Sequence, residues 1–267
     1  MESLIKKVRN RILREALPAI FRPQGREELT RLGSPYGGWT IPFGRLDSSS
    51  VCYSFGAGED LTFDLELAHR CGCTVHIFDP TPRAKAHFEQ LCATAAKGAL
   101  PPGKEFFVYR PELLAAVTKL VFHPVGIWEE NTTLEFYEPA DARHVSHSLV
   151  NLQGTRAGFE AEVRTLDTIM RDLGHEVVDM MKADIEGAEF EVLNSLIDHR
   201  LFPSVLAIEF DAVAHGRLAQ ARRLRTLIAC LKSVGYCLEH IEGWNYLFVR
   251  RFAAVGSCKP IIERPES

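Results

Sequence analysis

The chain has 267 residues, 46% of them hydrophobic and 25% charged, and its 31 basic and 35 acidic side chains leave a formal charge of −4. Those values fit one large globular domain with a continuous core and argue against a nucleic-acid binder that works through a broad basic surface. Seven cysteines form no Cys-x-x-Cys pair and no Cys/His cluster at zinc spacing, so reduced thiols in a cytoplasmic setting are expected.

Residues 1–20 place Leu4, Ile5, Val8, Ile12, Leu13 and Leu17 at helical spacing, with Lys6, Lys7, Arg9, Arg11 and Arg14 between them and Pro18 ending the run. Neither a signal peptide nor a transmembrane helix is visible there. The basic amphipathic helix suits contact of residues 1–17 with a membrane surface, or packing on the main domain with a solvated face; the second is the more ordinary use of such a pattern. Residues 33–47 are rich in glycine and proline and read as a loop. Two roles stand level: a lid hinged at Gly37 and Gly38 with Tyr36 or Trp39 facing a ligand, or a linker whose Trp39 fills a core gap.

The most informative stretch is Val51–Asp60. An apolar run meets Gly56 and Gly58, and an amphipathic segment follows, which reads as strand, tight turn and helix, with Asp60 placed to cap the helix. The next strand, Thr74–Phe78, ends in Asp79, about 20 residues past the glycines, where nucleotide-type folds place a ribose-binding carboxylate. Gly56, Gly58 and Asp79 therefore outline a site for an adenosine-containing cofactor. The third position of the dinucleotide fingerprint is Leu61, so that motif is incomplete.

A helix is expected from Pro82 to Ala96, then strands at 104–109 and 120–127, the latter carrying Val125, Gly126 and Ile127. Residues 129–160 are polar and turn-rich around a strand-like Thr133–Tyr137, and His147 sits there between serines. Further strands are expected at Glu162–Thr165, Val177–Ala183 and Ser204–Phe210, with helices at Leu166–Leu173, after Glu189, and from Arg217 to Val234. The chain then ends differently: Tyr236–Ile241 and Asn245–Arg250 flank a short glycine turn and predict a β-hairpin. Alternating strands and helices predict an α/β fold on a mostly parallel sheet. A C-terminal antiparallel hairpin with an incomplete third glycine points to a methyltransferase sheet rather than an NAD(P)-dependent oxidoreductase, which remains the alternative beside a non-catalytic binding protein.

The segments Tyr53–Asp60, Phe78-Asp79-Pro80-Thr81 and Lys182-Ala183-Asp184-Ile185-Glu186-Gly187-Ala188-Glu189 together resemble FkbM-type methyltransferases. The Gly37-Gly38-Trp39 loop resembles the segment ahead of the glycine strand in a methyltransferase-like subgroup of that family. The resemblance covers about residues 33–250, which would form the methyltransferase domain, with 1–32 as an N-terminal extension and 251–267 as a tail. It implies a seven-stranded Rossmann-like sheet, S-adenosylmethionine as cofactor and O-methylation of a small-molecule or sugar-type hydroxyl.

On that reading Ser54, Gly56, Ala57, Gly58, Asp79, Pro80, Gly126 and Asp184 hold the cofactor. An oxygen acceptor must lose a proton, so a base is needed within reach. Asp184 and Glu186, where the fourth strand leaves the sheet, are candidates, and each also suits the N-terminus of the following helix. His147 is a third candidate, on its titration range. Glu189 is expected as a helix-surface acid. Asp184 and Asp211 end strands that should be neighbours and could share a divalent cation, with no third ligand evident.

Overall fold

The computed structural model describes residues 19–104, 106–137, 157–185, 187–210 and 218–251. The expectations for residues 1–18, His147, Glu186, Asp211 and the tail beyond Arg251 lie outside these residues.

Seven strands form the central sheet in the order β11-β12-β10-β9-β3-β4-β5. They are β3 (Cys52–Phe55), β4 (Val75–Phe78), β5 (Leu120–His123), β9 (Met180–Ala183), β10 (Val205–Glu209), β11 (Tyr236–Glu242) and β12 (Asn245–Arg250). β5, β4, β3, β9 and β10 run parallel, and β12 is antiparallel to both β10 and β11. The expected mostly parallel sheet with a C-terminal hairpin is therefore the one observed. The central strands are short and buried along β3, β9 and all of β10 but Glu209, as their near-continuous apolar runs require when helices cover both faces.

Alternation along each strand sends side chains to two cores. Tyr53, Phe55, Met181, Leu206 and Ile208 pack with helices α3 (Leu166–Leu173), α4 (Glu189–Asp198) and α5 (Leu218–Ser233). Cys52, Met180, Val205 and Ala207 pack on the other face with α1 (Thr62–Cys71) and α2 (Pro82–Ala95). No disulfide is present among the described residues. No helix among them is long and apolar enough to cross a membrane.

Three segments depart from the sequence reading. Within 33–47, Trp39–Ile41 forms strand β2 and pairs with β1 (Thr30–Leu32). Residues 104–109 contribute only an isolated bridge between Lys104 and Phe107, and a 3-10 segment (Pro111–Lys119) follows. The apolar run 120–127 splits at Pro124, which has no N–H to donate to a ladder. β5 stops at His123, and β6 (Gly126–Ile127) joins β8 (Ala157–Arg164) and β7 (Thr132–Tyr137) in a separate three-stranded sheet. Ahead of residue 33, residues 21–25 contact the C-terminal hairpin. The Phe21 ring meets Tyr246 edge-on, and the Gln24 and Gly25 N–H groups donate to the carbonyls of Leu238 and Glu239.

Three histidines gather on the α3 face of the sheet. His76 Nδ1 lies 3.1 Å from His123 Nε2 with the rings stacked, and His175 Nδ1 lies 2.6 Å from the Tyr53 hydroxyl. Burial, aided by His175 and His123, pushes His76 down to about 4, and burial lowers His123 and His175 as well. The folded protein thus holds these rings neutral at pH values where the unfolded chain protonates them. Linkage then makes stability rise with pH across that interval. The urea midpoint is expected to be flat above about pH 6.5 and to fall steadily as pH drops from there towards about 4. A His76→Gln variant should show a shallower fall. An unchanged slope in that variant would remove the cluster as its origin.

Candidate active site

The site begins with a contact between two backbones. β3 pairs in parallel with β4 on one side and β9 on the other, so the chain beyond Phe55 leaves the sheet where its order reverses. The Gly56 N–H donates to the carbonyl of Phe78 (3.0 Å), and the Asp184 N–H donates to the carbonyl of Phe55 (3.1 Å). Gly56 has φ +71°, and a Cβ added there would lie 1.7 Å from the carbonyl oxygen of Asp184. Only glycine satisfies both the turn and the approach.

Asp79 closes the turn from the end of β4. Its Oδ2 accepts from the Gly58 N–H (2.8 Å), and its Oδ1 accepts from the N–H and hydroxyl of Thr81 (2.8 and 2.5 Å). Thr81 in turn caps α2, its hydroxyl oxygen accepting from the Ala84 N–H. A carboxylate offers roughly four lone-pair positions, so Oδ2 keeps room for another donor. The turn-making and ligand-binding readings of Asp79 are thus compatible.

One cleft at the carboxyl ends of the strands gathers most of the expected site: Gly56, Ala57, Gly58, Asp79, Pro80, Gly126 and Asp184 all line it. Ser54 does not. It shares the strand face of Cys52, is 1% exposed, and its hydroxyl is buried towards Asp64 of α1. Phe78, Pro80, Ile127 and Phe136 give the cleft an apolar slot beside Gly126, where an added Cβ would lie 3.4 Å from Pro80 and 3.6 Å from Phe136. Phe136, on β7 and stacked on Phe159, is a wall residue that sequence reasoning missed. Its position depends on the second sheet, and Pro124 was the only local sign that a strand would change sheets.

Tyr36, Gly37 and Trp39 form the facing wall. Their loop is tied down. The Ser34 hydroxyl donates to Asp60 Oδ2 (2.6 Å), the Ser34 N–H donates to the Thr62 hydroxyl oxygen (2.8 Å), and the Gly33 N–H donates to Glu66 (2.9 Å). Gly37 and Gly38 both lie in close approach to their neighbours: added Cβ atoms would meet Asp60 Oδ2 at 2.6 Å and the Ser34 carbonyl oxygen at 2.3 Å. Trp39 is buried, while Tyr36 is exposed at the rim and stacks on Phe106. Asp60 also accepts from the N–H and hydroxyl of Thr62 at the start of α1 (3.0 and 2.6 Å), but the N-cap is Leu61 and not Asp60 as expected.

The β9 end brings Lys182 and Asp184 to the cleft. Burial raises the Asp184 carboxyl above the usual carboxylate range; the Lys182 ammonium opposes the shift, and Asp79 adds to it. Lys182, to which sequence reasoning gave no role, is 5% exposed and lines the cleft. Its Nζ donates to the carbonyls of Gly56 (2.8 Å) and Phe55 (3.3 Å) and lies 5.5 Å from the centre of the Trp39 ring. Glu189 is not a surface acid: it is fully buried, and its Oε1 accepts from the Gly187 N–H (2.7 Å). Among the described residues no group of three or more His, Cys, Asp or Glu is placed to hold a metal ion.

Residues 53–238 match the family model for the methyltransferase FkbM domain. Among curated proteins, the chain is similar to the probable methyltransferase-like protein 24 of Rattus norvegicus, at 26% identity over 164 residues. It is also similar to the Homo sapiens protein of that name, at 24% identity over 164 residues. Each match takes in 61% of this chain but only 32% of the relative, so the chain spans about a third of their length. Among solved structures, an rRNA methylase from Streptococcus thermophilus aligns with TM-score 0.40 and 14% identity, covering 78% of this chain and 90% of that one. The Methanococcus jannaschii fibrillarin pre-rRNA processing protein aligns with TM-score 0.39 and 12% identity, covering 80% and 70%.

The backbone contact at Gly56 gives a direct stability test. Gly56→Ala must adopt φ +71° and displace the Asp184 carbonyl, and is expected to cost more than about 2 kcal/mol in urea unfolding. Gly98→Ala, at φ +80° with nothing within 4 Å, should cost about 1 kcal/mol. Equal losses for the two would mean that the contact with Asp184 constrains nothing.

Proposed function

The chain belongs to the FkbM methyltransferase domain family, and from that premise we propose that it moves a methyl group from S-adenosylmethionine to a hydroxyl oxygen of a small-molecule or sugar acceptor. The observation that carries the reading is the convergence of the glycine turn, Asp79, the apolar slot and Asp184 on one cleft at the strand order reversal. The residues fit the cofactor's parts. Gly56 and Gly58 leave main-chain atoms open to approach, and Asp79 has room for a ribose hydroxyl. The slot of Phe78, Pro80, Ile127 and Phe136 suits a flat apolar-faced base, with Gly126 keeping it open. An added Cβ at Gly126 would meet Val163 at 3.0 Å and Pro80 at 3.4 Å. The oxidoreductase reading has no support: Leu61 stands where the third glycine would, and the family is one of methyltransferases.

S-adenosylmethionine, when bound, supplies a methyl group activated by its sulfonium. The protein's part is to hold an acceptor oxygen in line with that methyl and to take its proton. Asp184 suits the second task, because burial raises its proton affinity towards the range useful for a base. Around the cleft the carboxyls of Asp60, Asp79 and Asp184 outnumber the Lys182 ammonium, which favours an uncharged hydroxyl acceptor over a polyphosphate one.

Calorimetric titration with S-adenosylhomocysteine and NAD tests the cofactor. Binding of the first alone, weakened at least about tenfold in Asp79→Ala, is expected from the loss of a charge-assisted acceptor. Binding of NAD instead would overturn the reading. Transfer of a labelled methyl to a panel of free sugars and small alcohols tests the base. Asp184→Asn should keep S-adenosylhomocysteine affinity within about threefold and lose on the order of a hundredfold or more in turnover. Cofactor binding with no methylation anywhere in the panel would favour a binding protein on this fold.

A further inference from the structure

Resting on the cofactor reading above, we infer that Lys182 is the anchor for the carboxylate at the amino-acid end of S-adenosylmethionine. The cofactor carries three charges at this end of the molecule: a sulfonium, an ammonium and a carboxylate. The described charged residues lining the cleft are Glu59, Asp60, Asp79, Asp184 and Lys182. Glu59 is already paired with Arg83 (2.9 Å) and Lys104 (2.6 Å). The remaining acids, Asp60, Asp79 and Asp184, can offer no partner to an anion, and Lys182 is the one cation among these residues to meet the cofactor's carboxylate.

Strand order puts it in the right place. The apolar slot lies at the β4 and β6 end of the cleft, Asp79 ends β4, the glycine turn ends β3, and β9 comes next. A ligand with its base in the slot and its ribose at Asp79 extends across the glycine turn and ends beside β9. Lys182 is on β9, in register with Ser54.

The ammonium has the capacity as well. Its bonds to the Gly56 and Phe55 carbonyls use two of three N–H donors, and the Trp39 ring flanks it 5.5 Å away. A carboxylate is the natural partner for the third, since the charge-assisted bond is stronger than one to a neutral acceptor. The same lysine would then fix both the turn and the ligand lying on it.

A structural lysine that only props the turn would affect every ligand equally, and this separates the two roles. The experiment compares S-adenosylhomocysteine, its decarboxylated analogue and 5′-methylthioadenosine, which lacks the whole amino-acid end, by calorimetry on the wild-type protein and Lys182→Met. On the wild type, decarboxylation is expected to weaken binding at least about tenfold. Lys182→Met should weaken S-adenosylhomocysteine to a similar degree, show no further loss on decarboxylation, and bind 5′-methylthioadenosine within about threefold of the wild type. Equal wild-type affinity for the first two ligands overturns the inference, and that comparison stands even where the variant does not fold. So does an equal loss of all three ligands in a folded Lys182→Met. A wild type that binds none of them fails the cofactor reading itself.

Discussion

The structure depends on two backbones that touch. β3 and β9 lie side by side up to the pair Phe55 and Ala183 and then diverge, one chain crossing towards β4 and the other leaving towards α4. At that fork Gly56, having no Cβ, admits the Asp184 carbonyl, while the Asp184 N–H closes onto the Phe55 carbonyl. Lys182 bonds the carbonyls of Phe55 and Gly56. The turn, the acid at the end of β9 and the acid at the end of β4 are therefore fixed relative to one another by main-chain geometry. A site built on strand ends in this way needs little rearrangement to hold a ligand, which is the condition for an aligned displacement.

Burying an ammonium in this place is costly, and the size of that cost bears on its purpose. Removing an ion from water costs several kcal/mol after relaxation, and two carbonyl bonds plus an aromatic face return only part of it. The carboxylates of Asp64 and Asp184 contribute the rest electrostatically, but burial raises both above the usual carboxylate range and so weakens their hold as full negative charges. A neutral donor would satisfy the Gly56 carbonyl at lower cost. What a neutral donor lacks is a field reaching into the cleft, and a low-dielectric wall gives that field its strength.

The parts of the site legible in the sequence are those whose logic is local. Gly56, Gly58 and Asp79 are set by a turn and a strand end about 20 residues apart, so spacing alone marks them. The hairpin likewise announced itself through Gly243 between two apolar runs. Residues whose roles depend on pairing were invisible. Ser54 adjoins the glycine turn in sequence, yet strand alternation turns it to the α1 face. The same alternation, through the register of Ser54 with Lys182, sets the lysine beneath the turn. Phe106-Phe107-Val108 reads as a strand by composition but finds no sheet edge to pair with, and Phe106 and Val108 remain exposed. Glu189 reads as a surface acid because helix periodicity says nothing about the glycine turn whose N–H it accepts.

On the proposed reading, the loop ahead of the glycine strand shapes the acceptor side of the cleft. Ser34 ties the loop to Asp60 and Thr62 at the start of α1, so its geometry is set by the same helix that follows the cofactor turn. Trp39 is held inside by β1 and β2 and flanks Lys182, which leaves Tyr36 alone to project at the rim, stacked on Phe106. The interior of the cleft is thus rigid and acidic, and its mouth is aromatic and exposed. An acceptor with an apolar or ring-shaped face can lie on the mouth while presenting one neutral hydroxyl to Asp184. A polyphosphate would have to carry its charges past Asp60 and Asp79, against the field of these carboxyls. On the proposed reading, selection among acceptors would be divided, the mouth reading shape and the carboxyls of the cleft reading charge.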